Sequence, residues 1–187
     1  MSHANVQKIK KQVEQECKAN KKLSVWFYSD HLLMVEKNSK WLLKELPKSD
    51  SEVVLLGVWL HDLQRVRGLK GDHQSVGARE AVKVMKEYGY GKPVIEKVKA
   101  IILTHSCSKE IPTSIEGKIL ATADAMSHYY NDFFLRIAVT GQRNLKEFKE
   151  WVLEKLDRNY NKKIFFASAK KKIKPRHDLY KKVFSMR

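Results

Sequence analysis

The chain has 187 residues with 43% hydrophobic side chains, enough for one domain with a real core. No apolar run approaches the ~18–20 residues of a membrane span, and the opening MSHANVQKIKKQVEQECK lacks the apolar centre of a signal peptide. A cytoplasmic protein with no membrane association is the expectation. The formal net charge is +16, from 37 Lys and Arg against 21 Asp and Glu, which predicts attraction to phosphorylated ligands or nucleic acid. Cys17 and Cys107 stand apart without CxxC spacing, which excludes a disulfide framework or zinc ribbon and predicts free thiols.

Clean period-two alternation is scarce and helical spacing is common. Residues 4–19 read as a short polar helix. From about 24 to 46, Leu32, Val35, Leu42 and Leu46 form one stripe, ended by Pro47. Ser49 and Glu52 fit a capping box ahead of the apolar run from Val53, a helix expected to continue to about Val66. RGLKGDH reads as a loop. Residues 74–88 form an amphipathic helix through Val76, Ala78, Ala81, Val82 and Met85, and GYGKP breaks it. Residues 94–105 form another helix, with Val94, Val98, Ile101 and Ile102 inside. After the loop SCSKEIPTS, helices are predicted over 114–139 and 144–157, separated at TGQRN.

From Tyr160 to Arg187 there are ten basic residues against one acid, Asp178. One or two short basic helices are expected there, including 176–184. The pattern therefore predicts an all-α fold, a compact bundle of six or more helices with a basic C-terminal helical extension. The expected division is 1–157 for the main domain, its core about 24–140, and 158–187 for the extension, packed on the domain or trailing from it.

Five of seven histidines fall at His31, His61, His73, His105 and His128. His61 and Asp62 end a strongly apolar helix, in GVWLHDLQRV. His73 sits at a loop-to-helix junction, His105 ends VKAIILTH, and Asp124 lies in ILATADAMSH. Burying a carboxylate costs several kcal/mol unless it is paired or bound to a cation. Near Asp124 the sequence offers only His128 and the more distant Lys118; near Asp62 it offers Arg65. A divalent cation would satisfy both acids and the neutral imidazoles together. Nitrogen and oxygen donors without thiolate suit Mn²⁺, Fe²⁺, Co²⁺, Ni²⁺ or Zn²⁺. An open coordination position would hold a water and lower its pKa toward neutrality. For each residue alone, a cap, a surface ion pair or a core histidine is the competing reading.

His31, then His61–Asp62, then Asp124, in an all-helical chain, resembles the H…HD…D signature of the HD superfamily of metal-dependent phosphohydrolases. LLGVWLHDLQRV, DHQSVGAREAVKVMKEYGY, VKAIILTHS and EGKILATADAMSHY are similar, in order, to four segments of that family, and the likeness covers about residues 24–140. The resemblance implies an HD-domain helical bundle in which His31, His61, Asp62 and Asp124 hold a metal and Asp62 bridges or orients the attacking water. It implies that His73 and His105 hold a second metal or face the substrate phosphate, so one ion or two. The implied activity is hydrolysis of a phosphate ester or anhydride of a nucleotide or related small molecule, as phosphatase, phosphodiesterase or nucleotide pyrophosphohydrolase. Arg65, Lys70, Lys118 and His128 are candidate substrate-binding residues, with Arg67 also near in sequence. Arg65 stands where many nucleotide-directed relatives keep an acid, and Thr122 stands where small bacterial relatives have the first acid of DAD.

A second class competes. The basic C-terminal segment interleaves lysines with Phe165, Phe166, Tyr180 and Phe184, a pattern that can hold phosphates and stack bases. On that reading the chain is a nucleic-acid-associated binding protein with a degenerate or structural HD site.

Overall fold

In a computed structural model, the described residues are 2–23, 26–130, 132–141 and 143–186, without the side chains of residues 2 and 3. The centre is α3 (Ser51–Leu60), in which every residue from Val53 to Leu60 is buried. A helix that is apolar all round must be covered all round. The cover comes from α1 (Ser2–Ala19), α2 (Leu33–Glu45), α5 (His73–Glu87), α6 (Lys92–Thr104) and α7 (Ile115–Ser127), each of which packs against it. Among the described residues there is no strand, as the scarcity of alternation predicts, and no helix is long and apolar enough to cross a membrane.

Several local readings are corrected. The helix cap before Val53 is Asp50, whose side chain accepts from the Val53 N–H at 3.2 Å. Its own N–H donates to Glu116 on α7 at 3.0 Å, so a distant acid takes the part expected of Glu52. The helix from Val53 does not run to Val66. It stops at Leu60, and a one-turn helix, α4 (Leu63–Val66), follows. The single helix predicted over 114–139 is two, α7 and α8 (Phe133–Thr140), parted by Asp132 in the left-handed conformation at φ 56°. His31 lies in a π-helical segment, Phe27–Leu32, that leads into α2. The predicted helix start at 24 and the basic Arg187 lie outside the described residues.

α9 (Leu145–Arg158) opens with a capping box between Asn144 and Glu147 and runs into a second π-helical segment, Asn159–Lys163. α10 (Ala167–Ser185) is one helix and packs on α9 and α7. Its Ile173, His177 and Phe184 are buried, and Phe134 of α8 meets Tyr180 and Phe184 edge-on at 5.4 and 6.0 Å. Tyr180 and Phe184 therefore serve the packing rather than an exposed stacking face. Several of the tail's lysines are engaged within the chain: Lys174 with Asp178, Lys181 with Asp157, and Lys172 over the Trp41 ring.

Candidate metal centre

Two histidines are held the same way. His61 caps the C-terminus of α3 and His105 that of α6. Each turns its ring back so that Nδ1 meets a carbonyl three residues earlier: Val58 O at 2.9 Å and Ile102 O at 2.6 Å. A helix end leaves such carbonyls without intrahelical donors. A carbonyl only accepts, so Nδ1 carries the proton and Nε2 keeps its lone pair. His31 reaches the same state by a relay. Ser127 Oγ donates to Asp124 O at 2.7 Å, which leaves that hydroxyl to accept from His31 Nδ1 at 3.1 Å.

These lone pairs converge with two carboxylates. His31 Nε2 lies 3.3 Å from Asp62 Oδ2 and 3.7 Å from Asp124 Oδ1, and His61 Nε2 lies 3.5 Å from Asp62 Oδ2. Donor atoms of three overlapping trios lie within 4.8 Å of one another: His31–His61–Asp62, Asp62–His73–His105 and His31–Asp124–His128. Asp62 joins the first two and His31 joins the first and third. His61 Nε2 is buried and has no hydrogen-bond partner among the described residues. A lone pair left unsatisfied at 0% exposure beside a carboxylate fits a cation between them.

The electrostatics agree with that arrangement. Burial by itself would raise the Asp62 carboxyl, but His61, Arg65 and His31 outweigh it and hold it well below the usual carboxylate range. Burial acts the same way on Asp124, and Lys163, His128 and His31 overcome it. Both acids are ionised at neutral pH. Burial, then the neighbouring His61, pushes His105 down to about 3. Burial, then Lys155, holds His128 well below its ordinary value, and burial lowers His73. Neutral imidazoles and ionised carboxylates are the protonation states a metal requires.

The cluster forms the floor of a cavity of about 420 Å³. Trp26, Phe27, Phe133 and Trp151 form an apolar wall, and Lys22, Arg65, Lys155, Arg158 and Lys163 bring positive charge. Of the residues picked out in the sequence, His31, Asp62, His73, His105, Asp124, His128 and Arg65 line the cavity, with His61 buried beside it. Lys70 and Lys118 are not among its lining residues; Lys70 is exposed and Lys118 half-buried on α7. Arg67 turns away to pair with Glu16 and Glu80 at 2.7 and 2.8 Å.

Sequence reasoning missed Lys155, Arg158 and Lys163. Asp124 does have a cation: Lys163 Nζ stands 2.5 Å from its Oδ2. The faint signal was Lys163 lying directly ahead of the apolar Ile164–Phe165–Phe166.

A family model of the HD domain matches residues 28–129. The chain belongs to the HD-domain family. The HD match begins just before His31 and ends just after His128, so it spans the whole cluster. In shape the chain is similar to an HD-superfamily hydrolase from Bacillus thuringiensis, with TM-score 0.70 and 17% identity over 98% of this chain and 94% of that one. It is also similar to a "predicted HD superfamily hydrolase" from an uncultured Thermotogales bacterium, with TM-score 0.64 and 20% identity over 95% and 87%. At these identities the likeness is one of fold, and it extends past the HD match through α9 and α10. No curated relative matches the chain.

Proposed function

We propose that the protein is a metal-dependent phosphohydrolase acting on a phosphate ester or anhydride of a nucleotide or related small molecule in the cytoplasm. The observation that carries this is the orphaned lone pair of His61 Nε2, set with His31 Nε2 against two ionised carboxylates at the floor of a cationic cavity. His31, His61, Asp62 and Asp124 would hold the ion, and the donor types suit Mn²⁺, Fe²⁺, Co²⁺, Ni²⁺ or Zn²⁺. His73 and His105, which share Asp62 with that set, would hold a second ion or face the phosphate. When bound, the ion acts as a Lewis acid toward a phosphoryl oxygen and acidifies a coordinated water.

The chain's own residues do the rest. Asp62, ionised and set between α3 and α4, accepts a hydrogen bond from the attacking water and aims it. Arg65 Nε lies 3.3 Å from Asp62 Oδ1 and is about half exposed, so it can reach charge building on the phosphate. Trp26, Phe133 and Trp151 offer an apolar wall for the organic part of the substrate. On this reading residues 1–157 form the HD-type domain, and the basic 158–187 segment belongs to the same working unit rather than to a nucleic-acid-binding tail.

The test has two parts. Metal analysis of the purified protein beside His61→Ala and Asp62→Ala should find a transition metal that both substitutions remove. A screen of nucleotides and phosphomonoesters with Mn²⁺, Co²⁺ and Ni²⁺ should then find hydrolysis. A metal-free wild type with no hydrolysis under any of these metals sinks the proposal.

A further inference from the structure

Lys163 has no part in the reaction just described, yet it is 4% exposed and sits at the metal-facing carboxylate. The π-helical turn Asn159–Lys163 delivers it, a local widening of the helix that often marks functional sites. Thr122 on α7 fixes that turn by donating to the Lys163 carbonyl at 3.1 Å. One ammonium donor goes to Asp124 Oδ2, and the other carboxylate oxygen, Oδ1, faces His31 Nε2 at 3.7 Å and His128 Nε2 at 3.6 Å. An ammonium has three donors. Among the described residues no second acceptor receives from Lys163, and its side chain lines the cavity. A buried cation with spare donors on a cavity wall calls for an anion.

Lys155, eight positions earlier in the chain, lies over the Phe133 ring at 5.5 Å and the Trp151 ring at 5.8 Å, on the same wall. Among the described residues it has no carboxylate in ion-pair contact. Lys163, buried, and Lys155, half-buried on the same wall, are two positive groups that a ligand carrying negative charge between them would relieve. Both lie beyond residue 129, where the HD match ends, so the segment after the HD domain completes the cavity.

We propose that Lys163, seconded by Lys155, binds an oxygen of the substrate phosphate, and that Lys163 shares Asp124 with the metal. The inference rests on the metal-dependent reading above. Sharing has a consequence of sign. The ammonium competes with the ion for the charge of Asp124 and repels it. Removing the ammonium therefore strengthens metal binding while it weakens phosphate binding, whereas a damaged fold weakens both.

The experiment is calorimetry on the full chain: Mn²⁺ is titrated first, then inorganic phosphate into the Mn²⁺-saturated protein. Lys163→Met should bind Mn²⁺ roughly tenfold tighter and phosphate at least about tenfold weaker. Lys155→Met, which makes no ion pair with a proposed ligand, should weaken phosphate about fivefold and tighten Mn²⁺ by less than Lys163→Met does. Lys171→Met, on the exposed side of α10, serves as the control and should change neither. Phosphate affinity that survives in both Lys163→Met and Lys155→Met overturns this inference while leaving the metal site standing. A wild type that binds no Mn²⁺ overturns the phosphohydrolase reading and this one with it.

Discussion

Gly77, on α5, touches no proposed ligand side chain, yet it should be the substitution outside the cluster that most disturbs it. A Cβ built there would stand 2.9 Å from the backbone oxygen of His61, where ordinary contact begins at 3.4 Å. The obstacle is backbone and cannot rotate away, so α5 and the His61–Asp62 turn must part by about 0.5 Å. Overpacking of this kind costs about 1–3 kcal/mol, and replacing a helical glycine by alanine returns about 1 kcal/mol. Gly77→Ala should thus be destabilised by about 0–2 kcal/mol, which for a chain of this length lowers Tm by up to roughly 8 °C. The effect on metal should be larger in proportion, because ligand sets tolerate only about 0.5 Å of displacement, and disturbed support costs about 10–100-fold in affinity. Thermal unfolding without metal and Mn²⁺ calorimetry measure the two terms separately. Gly57→Ala is the matched control. Its Cβ would meet the tip of Ile101 at 2.6 Å, a side chain that can move, so stability falls while Mn²⁺ affinity holds. Gly77→Ala with wild-type Mn²⁺ affinity would refute the claim that this close approach positions the ligands.

Other outcomes follow from single contacts. Asp50→Ala should lower the urea midpoint by an amount worth about 1 kcal/mol, the usual loss of a helix cap, and Ser49→Ala by less than half of that, since Asp50 holds the Val53 N–H; equal effects would restore the capping box read at Ser49. His105, at about 3, and the depressed His128 bind protons less readily folded than unfolded. Their contribution to metal-free stability is therefore full above the ordinary histidine value of about 6.5 and is lost as pH falls toward 3. Urea unfolding of chelator-treated protein should show a lower midpoint at pH 5 than at pH 7, and a higher one would contradict the burial argument. Asp124→Asn removes the partner of a buried ammonium, so it should cost about 3–5 kcal/mol, and Asp124→Asn with Lys163→Met together should cost less than Asp124→Asn alone. A double variant weaker than both singles, measured by denaturant unfolding, would rule out the pairing.

Most of the fold was legible because most of it is local. The apolar spacing predicts α5, α6 and α9 to within a few residues, and it reads α2 and the π-helical turn before it as one helix. The likeness of His31, His61, Asp62 and Asp124 to a known signature lay in short segments with recognisable neighbours. The misreadings share a cause. Asp50 rather than Ser49 caps α3 because Glu116, 66 residues away, takes the Asp50 N–H. The run 114–139 breaks because Asp132 adopts a left-handed turn that periodicity cannot show.

The amino-acid sequence by itself determined the all-helical class, the family signature and the residues able to hold a cation, since each depends on residue type and near spacing. Only the tertiary structure decided which of the chain's many bases belong to the site. Lys163 reads as one base among many in the C-terminal segment and Lys155 as part of the helix over 144–157, while Lys70 and Lys118, picked out near the proposed ligands, do not line the cavity. The physical reason is that a lysine is buried only where a partner compensates it. Here the partner of Lys163 is Asp124, 39 positions earlier, and no local pattern encodes that meeting.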